Sequence, residues 1–212
     1  MTSEWQTGGG DTVFRDDWPE EPTPVLTEWL PANDDPARPL MVVATVDASG
    51  APDSRTQLLS AWDADGFYWH SDSRARKIAQ VAGDPRVALT MHLPADAHQI
   101  TVQGVAELAD ASELEWAFAH RSPYLQQLAW QNTVEFASLP RLDRVKAWEE
   151  FQAGHPEGFT APPTWTGYLV RPSRITCWVG STVTASRRVE YTRTGPLGPL
   201  ADSSWTVTQL AG

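Results

Sequence analysis

The chain has 212 residues, 41% hydrophobic, 20% charged and 10% aromatic, with a formal net charge of −11. That length can bury a full core and predicts one main domain, while so acidic a surface argues against nucleic acid or an anionic membrane as a partner. No apolar run reaches the roughly 18–20 residues that span a bilayer, and the lone Cys177 allows neither an internal disulfide nor a cysteine metal site, so a cytoplasmic protein is expected.

Residues 1–22 (MTSEWQTGGGDTVFRDDWPEEP) are rich in Gly, Asp, Glu and Pro and lack the apolar core of a secretory signal. They predict a flexible acidic arm ahead of a domain over residues 23–212. A short helix is expected over Thr23–Leu30. The rhythm then turns β-rich: "PLMVVATVD", the turn "ASG", "APDSRTQLLSAWD", the turn "ADG", and "FYWHS". "SDSRARKIAQVAGDP" reads as a helix capped by Ser71, Asp72 and Ser73, striped with Ile78, Val81 and Ala82, and stopped at Gly83-Asp84-Pro85. "PRVALTMHL" and "HQITVQGVAELA" are strands. From Asp110 to about Gly154 the period becomes helical. After "AGHPEGFTAPP", strands return as "TWTGYLVRP", "RITCWVGS", "SRRVEYTR" and "SWTVTQL". Closely spaced turns between strands favour antiparallel pairing over βαβ units, so the predicted class is α+β, a mostly antiparallel barrel with peripheral helices.

Arg74, Arg76 and Lys77 fall in the first turn of the predicted helix, the end where the dipole and free N–H groups disfavour positive charge. A bound anion such as phosphate would account for them, with Ser71 and Ser73 adding hydroxyl donors. Nearby carboxylates would account for them equally well. Arg55 lies mid-strand one hairpin upstream, where a partly buried guanidinium needs an anionic partner. The five histidines (His70, His92, His98, His120 and His155) are scattered without ligand spacing, so no metal site is expected.

The ordered set of these segments resembles the pyridoxamine 5′-phosphate oxidases. "MVVATVDASGAP" precedes "RTQLL", "DADGF" precedes "SDSRARK", and "DPRVAL", "HQITVQGVAEL", "PPTWTGYLVRPSRITCWVG" and "RRVEY" follow in order. The resemblance spans residues 23–212. It implies a split β-barrel homodimer with flavin mononucleotide (FMN) bound at the dimer interface. By position, Arg55, Arg76 and Lys77 would grip the FMN phosphate with Ser71 and His70 alongside, while Arg74 would be a bystander. The backbone from Arg55 through Thr56 and Leu58 to Leu59 would follow the flavin ring. Gln99, Trp178 and Arg188 would close the site. Taken without the resemblance, Trp178 is equally a core or interface aromatic, Gln99 an edge-strand residue, and Arg188 a partner for Glu190.

The chain departs from the family where the substrate phosphate is held. The family lysine ending the "R-x-x-L-L" strand is Ser60 here. Its tyrosine and serine are Ala117 and Leu125, its arginine is kept as Arg121, and the late "R-x-H" reads Thr184-Ala185-Ser186. Losing such charge-assisted donors costs about 3–6 kcal/mol, two to four decades of affinity. The resemblance therefore implies an FMN-dependent oxidoreductase for a small organic substrate other than pyridoxamine phosphate. Flavin N5 would accept hydride and O₂ or another acceptor would reoxidise it, with Ser60, Arg121 and Ser186 orienting the substrate. The alternatives are an authentic pyridoxamine phosphate oxidase with a rebuilt grip and a non-catalytic flavin-binding protein.

Overall fold

In β1 (Leu40–Val46) alternate residues are buried, with Met41, Val43 and Thr45 facing inward as period-2 patterning demands. A tight turn returns the chain into β2 (Pro52–Leu58): the Asp47 carboxylate accepts from the Ser49 and Ala51 amides, and Gly50 takes the positive φ. These elements come from a computed structural model, which describes residues 17–93 and 97–212. Most of the predicted acidic arm, residues 1–16, lies outside the described residues. Trp18, in the arm's last stretch, packs edge-on against Trp29 in α1 (Thr23–Trp29).

The remaining elements are β3 (Ala61–Trp62), β4 (Phe67–Asp72), α2 (Arg76–Gly83), β5 (Arg86–Leu93), β6 (His98–Leu108), α3 (Ala111–Ala119), α4 (Pro123–Gln131), α5 (Val134–Ser138), α6 (Arg141–Ala153), β7 (Trp165–Val179), β8 (Arg187–Thr194) and β9 (Ser204–Ala211). All strand pairs are antiparallel and form one sheet, in the order β2-β1-β5-β6-β7-β4-β3, with β8 and β9 added beside β7. The sheet curls around Phe67, Trp69, Met91, Ile100, Ile175 and Tyr191, and α1 seals one mouth with Val25 and Leu26. The four helices α3–α6 follow one another between β6 and β7. This is the expected α+β split barrel.

Three boundaries differ from the sequence expectation. The predicted second strand breaks at Leu59-Ser60 into β2 and β3. The two predicted strands around Pro172 are one continuous β7, because the β6 register shifts between Gln103 and Gly104, opposite Pro172. Gly104 lets the backbones close there, since a Cβ would strike the Arg171 carbonyl. Finally, Ser71 and Asp72 do not cap α2. They extend β4 by pairing with Thr166 and Trp165, and α2 begins at Arg76 with Ala75 as its uncapped N-cap.

Candidate cofactor-binding cleft

The basic segment resolves into three different fates. Arg74 precedes the helix and forks onto Asp72, with Nη2 2.6 Å from Oδ2. Arg76 reaches back to β2, where its Nη2 lies 2.9 Å from Asp53 Oδ2, although its side chain remains 80% exposed. Nearby carboxylates thus account for two of the three cations. Lys77 is different: it lines a cavity of about 350 Å³, half-buried, and burial followed by the Arg55 charge lowers its pKa. Asp72 exerts the opposing pull.

Arg55 sits across from Lys77 in a dense network. Its Nη1 donates to the Val43 carbonyl and to Thr45 Oγ1, and its Nη2 to Gln80 Oε1. The same Nη2 lies 2.9 Å from Asp53 Oδ2, which also accepts from Gln80 Nε2. One carboxylate oxygen therefore receives Arg55, Arg76 and Gln80 together, which holds the Asp53 pKa below the usual carboxylate value, the Gln80 hydrogen bond contributing most. Asp53 escaped the sequence reading, yet a strand of period 2 puts residues 53 and 55 on one face.

From this basic end the cleft runs along Thr56 and Leu58 of β2, past Ser71, to Ser60, His70, Arg121 and Trp165. The Leu59 side chain points away into the core, leaving only its backbone to follow the cleft. Asn132 and Leu128, from α4 and its C-cap, form the opposite wall. Neither they nor Trp165 drew notice in the sequence, because only the fold brings α4 and β7 against β2 and β4. A cavity of this size, part apolar and part polar with Lys77 at one end and Arg121 at the other, suits a small molecule with an anionic terminus.

His70 is buried with its ring stacked on Trp165 (centroids 5.0 Å, 6° between planes). Its Nε2 lies 3.8 Å from Glu113 Oε1, and both atoms are buried without a hydrogen-bond partner among the described residues. Burial, then the Arg121 and Arg38 charges, pulls the imidazole down to about 3. Burial, then Asp63 and Asp110, pushes Glu113 up to about 7. The folded state thus holds the Glu113 proton above its ordinary value of 4.5, so this residue's contribution to stability falls as pH rises from about 4.5 through 7. Glu113→Gln is expected to melt above wild type beyond pH 7 and to converge with it below about pH 4.5, as read by thermal denaturation across pH.

The remaining predicted residues do not join this cleft within one chain. Gln99, Trp178 and Arg188 form a row across β6, β7 and β8, each the register partner of the next. Trp178 is half-buried and its ring covers Gly180, Gln99 donates to Thr101 Oγ1 at 3.3 Å, and Arg188 is exposed. Thr166, beside Ser71, and Trp178 are twelve residues apart on β7, about 40 Å along the strand. Ser186 stands near that far end, its Oγ against Gly212. Glu190, the partner considered for Arg188, faces Arg174 at 3.8 Å.

The curled antiparallel sheet with its helical insertion defines a split-barrel protein. The family model "Pyridoxamine 5'-phosphate oxidase" matches residues 32–149, and "Pyridoxine 5'-phosphate oxidase C-terminal dimerisation region" matches residues 165–212. The chain belongs to the pyridoxamine 5′-phosphate oxidase family. Among curated relatives, the pyridoxine/pyridoxamine 5′-phosphate oxidase of Rhodopseudomonas palustris (strain HaA2) is 30% identical over 195 residues, 90% of each chain. Among solved structures, PhzG from Burkholderia lata 383, in complex with tetrahydrophenazine-1-carboxylic acid, superposes with a TM-score of 0.76 at 24% identity, covering 97% of this chain and 100% of that one. A pyridoxamine 5′-phosphate oxidase-related, FMN-binding protein of Nostoc punctiforme PCC 73102 gives 0.57 at 17% identity, covering 90% and 97%.

Proposed function

We propose that the chain is an FMN-dependent oxidoreductase that oxidises a small organic substrate other than pyridoxamine phosphate, working as a homodimer in the cytoplasm. The observation that carries this reading is the half-buried Lys77 at the end of the cleft, with Arg55 of β2 and Arg76 of α2 nearby. The residues present fit a flavin phosphate there: Lys77 carries a half-buried charge, Ser71 offers a hydroxyl, and the exposed Arg76 would exchange Asp53 for the phosphate. Thr56 and Leu58 would line the ring. Bound FMN would supply the two-electron acceptor.

The substrate would lose two electrons and two protons, with O₂ reduced to H₂O₂ as the accompanying half-reaction. Trp165 would present an apolar face to it, while Ser60 and Arg121 lie where polar groups can orient it. Ala117 is buried and apolar, and Leu125 is an apolar wall residue, which supports the loss of a phosphate grip at this point. The dimer reading is supported by the family match to the dimerisation region and by the distance separating the Gln99, Trp178 and Arg188 row from the cleft. A second copy would bring that row to the first copy's cleft, with Ser186 near it.

The test is the visible spectrum of the purified protein with mass identification of the released cofactor, followed by a donor screen for H₂O₂ release. A yellow protein releasing FMN and oxidising donors but not pyridoxamine phosphate is the expected outcome. Efficient turnover of pyridoxamine phosphate overturns the substrate reading, and absence of any FMN affinity overturns the whole.

Asp53 yields a second expectation. Its carboxylate would stand close to the flavin phosphate and repel it while occupying Arg76. Asp53→Asn keeps an acceptor for Gln80 and removes the charge, so FMN should bind about tenfold tighter. Quenching of flavin fluorescence on titration measures it, and weaker binding would make Asp53 a support for Arg55 instead of a competitor.

A further inference from the structure

Two guanidinium groups meet at the inner end of the cleft with no carboxylate in ion-pair contact among the described residues, although Glu113 feels the Arg38 charge at longer range. Arg121, in the turn between α3 and α4, lies with Cζ 4.6 Å from the Trp165 ring centroid. Its Nε is buried without a hydrogen-bond partner, and among the described residues no ion pair is formed by it or by Arg38. Arg38, on the segment leading into β1, donates from Nη1 to the Ser60 carbonyl and faces the Trp116 ring at 6.0 Å. The two sense each other: burial first, then the Arg38 charge, lowers Arg121 to about 10. Paired, partly buried cations lacking a counter-ion form a seat for an anion.

The space is there as well. A second hollow of about 330 Å³ holds Arg38 in its wall, and Leu58, Ser60, Arg121 and Leu125 line both it and the main cleft. Ser60 replaces the lysine of the family pattern, and Arg38 returns a positive charge to that place from another part of the chain. The donors returned are of a different kind. They are flat forks, one already committed to the Ser60 carbonyl, with apolar walls at Ala117 and Leu125 and with Asp34 and Asp35 along the hollow. A tetrahedral dianion requires donors on several sides and would be opposed by those acids, whereas a planar two-oxygen monoanion matches guanidinium geometry.

We infer that the substrate carries a carboxylate, seated between Arg38 and Arg121, with its apolar body lying toward Trp165. Calling the bound molecule a substrate rests on the oxidoreductase reading above; the anion seat itself does not.

The test titrates the full-length FMN-loaded protein with benzoate and with phenyl phosphate, following perturbation of the flavin absorption band. A parallel titration of flavin-free protein by calorimetry gives a readout independent of the cofactor. Benzoate should bind at least fivefold tighter than phenyl phosphate, and Arg38→Gln and Arg121→Gln should each weaken benzoate tenfold or more. Arg38→Gln should leave FMN affinity within twofold. Should Arg121→Gln fail to fold, Arg38→Gln alone decides. Tighter phenyl phosphate, no benzoate binding, or an Arg38→Gln protein that binds benzoate unchanged overturns the inference. Arginine-dependent benzoate binding by a protein that takes up no FMN would sink the flavin reading and leave the carboxylate seat standing.

Discussion

Replacing Arg76 and Lys77 together by alanine is expected to cut FMN affinity by two to four decades. Each charge-assisted hydrogen bond to a phosphoryl oxygen contributes about 1.5–3 kcal/mol, so losing two costs about 3–6 kcal/mol. The two shares should be unequal. Arg76 is largely solvated and must leave Asp53 to reach a phosphate, whereas Lys77 is half-buried in the cavity wall and destabilised as a cation until an anion arrives. Lys77→Ala alone should therefore account for more than half of the loss. Both residues sit at the start of α2 and neither joins the hydrophobic core, so melting temperature should barely move, and flavin fluorescence on titration reads the affinity. Unchanged binding by the double variant would place the phosphate elsewhere.

The second large effect is on stability. Trp69→Ala is expected to cost about 3–5 kcal/mol, the range for removing a buried aromatic from a well-packed core. Trp69 is fully buried in the barrel and stacks on Tyr168 of β7 with centroids 5.0 Å apart. That pair clamps β4 to β7, and the two residues after it, His70 and Ser71, line the cleft. For a chain of this size the cost corresponds to a drop in melting temperature of roughly 10 °C, with a parallel loss of flavin binding near the new midpoint. A variant melting within a degree or two of wild type would mean that the barrel closes without this clamp.

Much of this architecture is written locally. Period-2 burial and Gly- or Asp-rich turns mark β1, β2, β5 and β6, and the Asp110 and Ser122 caps mark α3 and α4. The misplaced helix start has a physical cause. Ser71 and Asp72 are good cap residues, but Thr166 and Trp165, more than ninety positions downstream, pair with them and hold them in a strand. Local preference yields to a distant ladder. Pro172 misleads in the same way, since the strand passes through it by bulging at Ser173, a feature seen only in its pairing with the distant β6. At the cleft, the family pattern points to Lys77, Ser71 and Arg121. Asp53, which pairs with Arg55 and Arg76, and Arg38, which acts on Arg121, become visible only when β2, α2 and the segment before β1 are folded against one another.

On the proposed dimeric reading, the span of β7 governs how much protein must be present for the chain to act. Clusters at opposite ends of so long a strand cannot touch one small ligand in a single copy. If both serve the same flavin, each copy alone is incomplete. Dilution should then strip the cofactor at a protein concentration set by subunit affinity, however tight the grip on the phosphate.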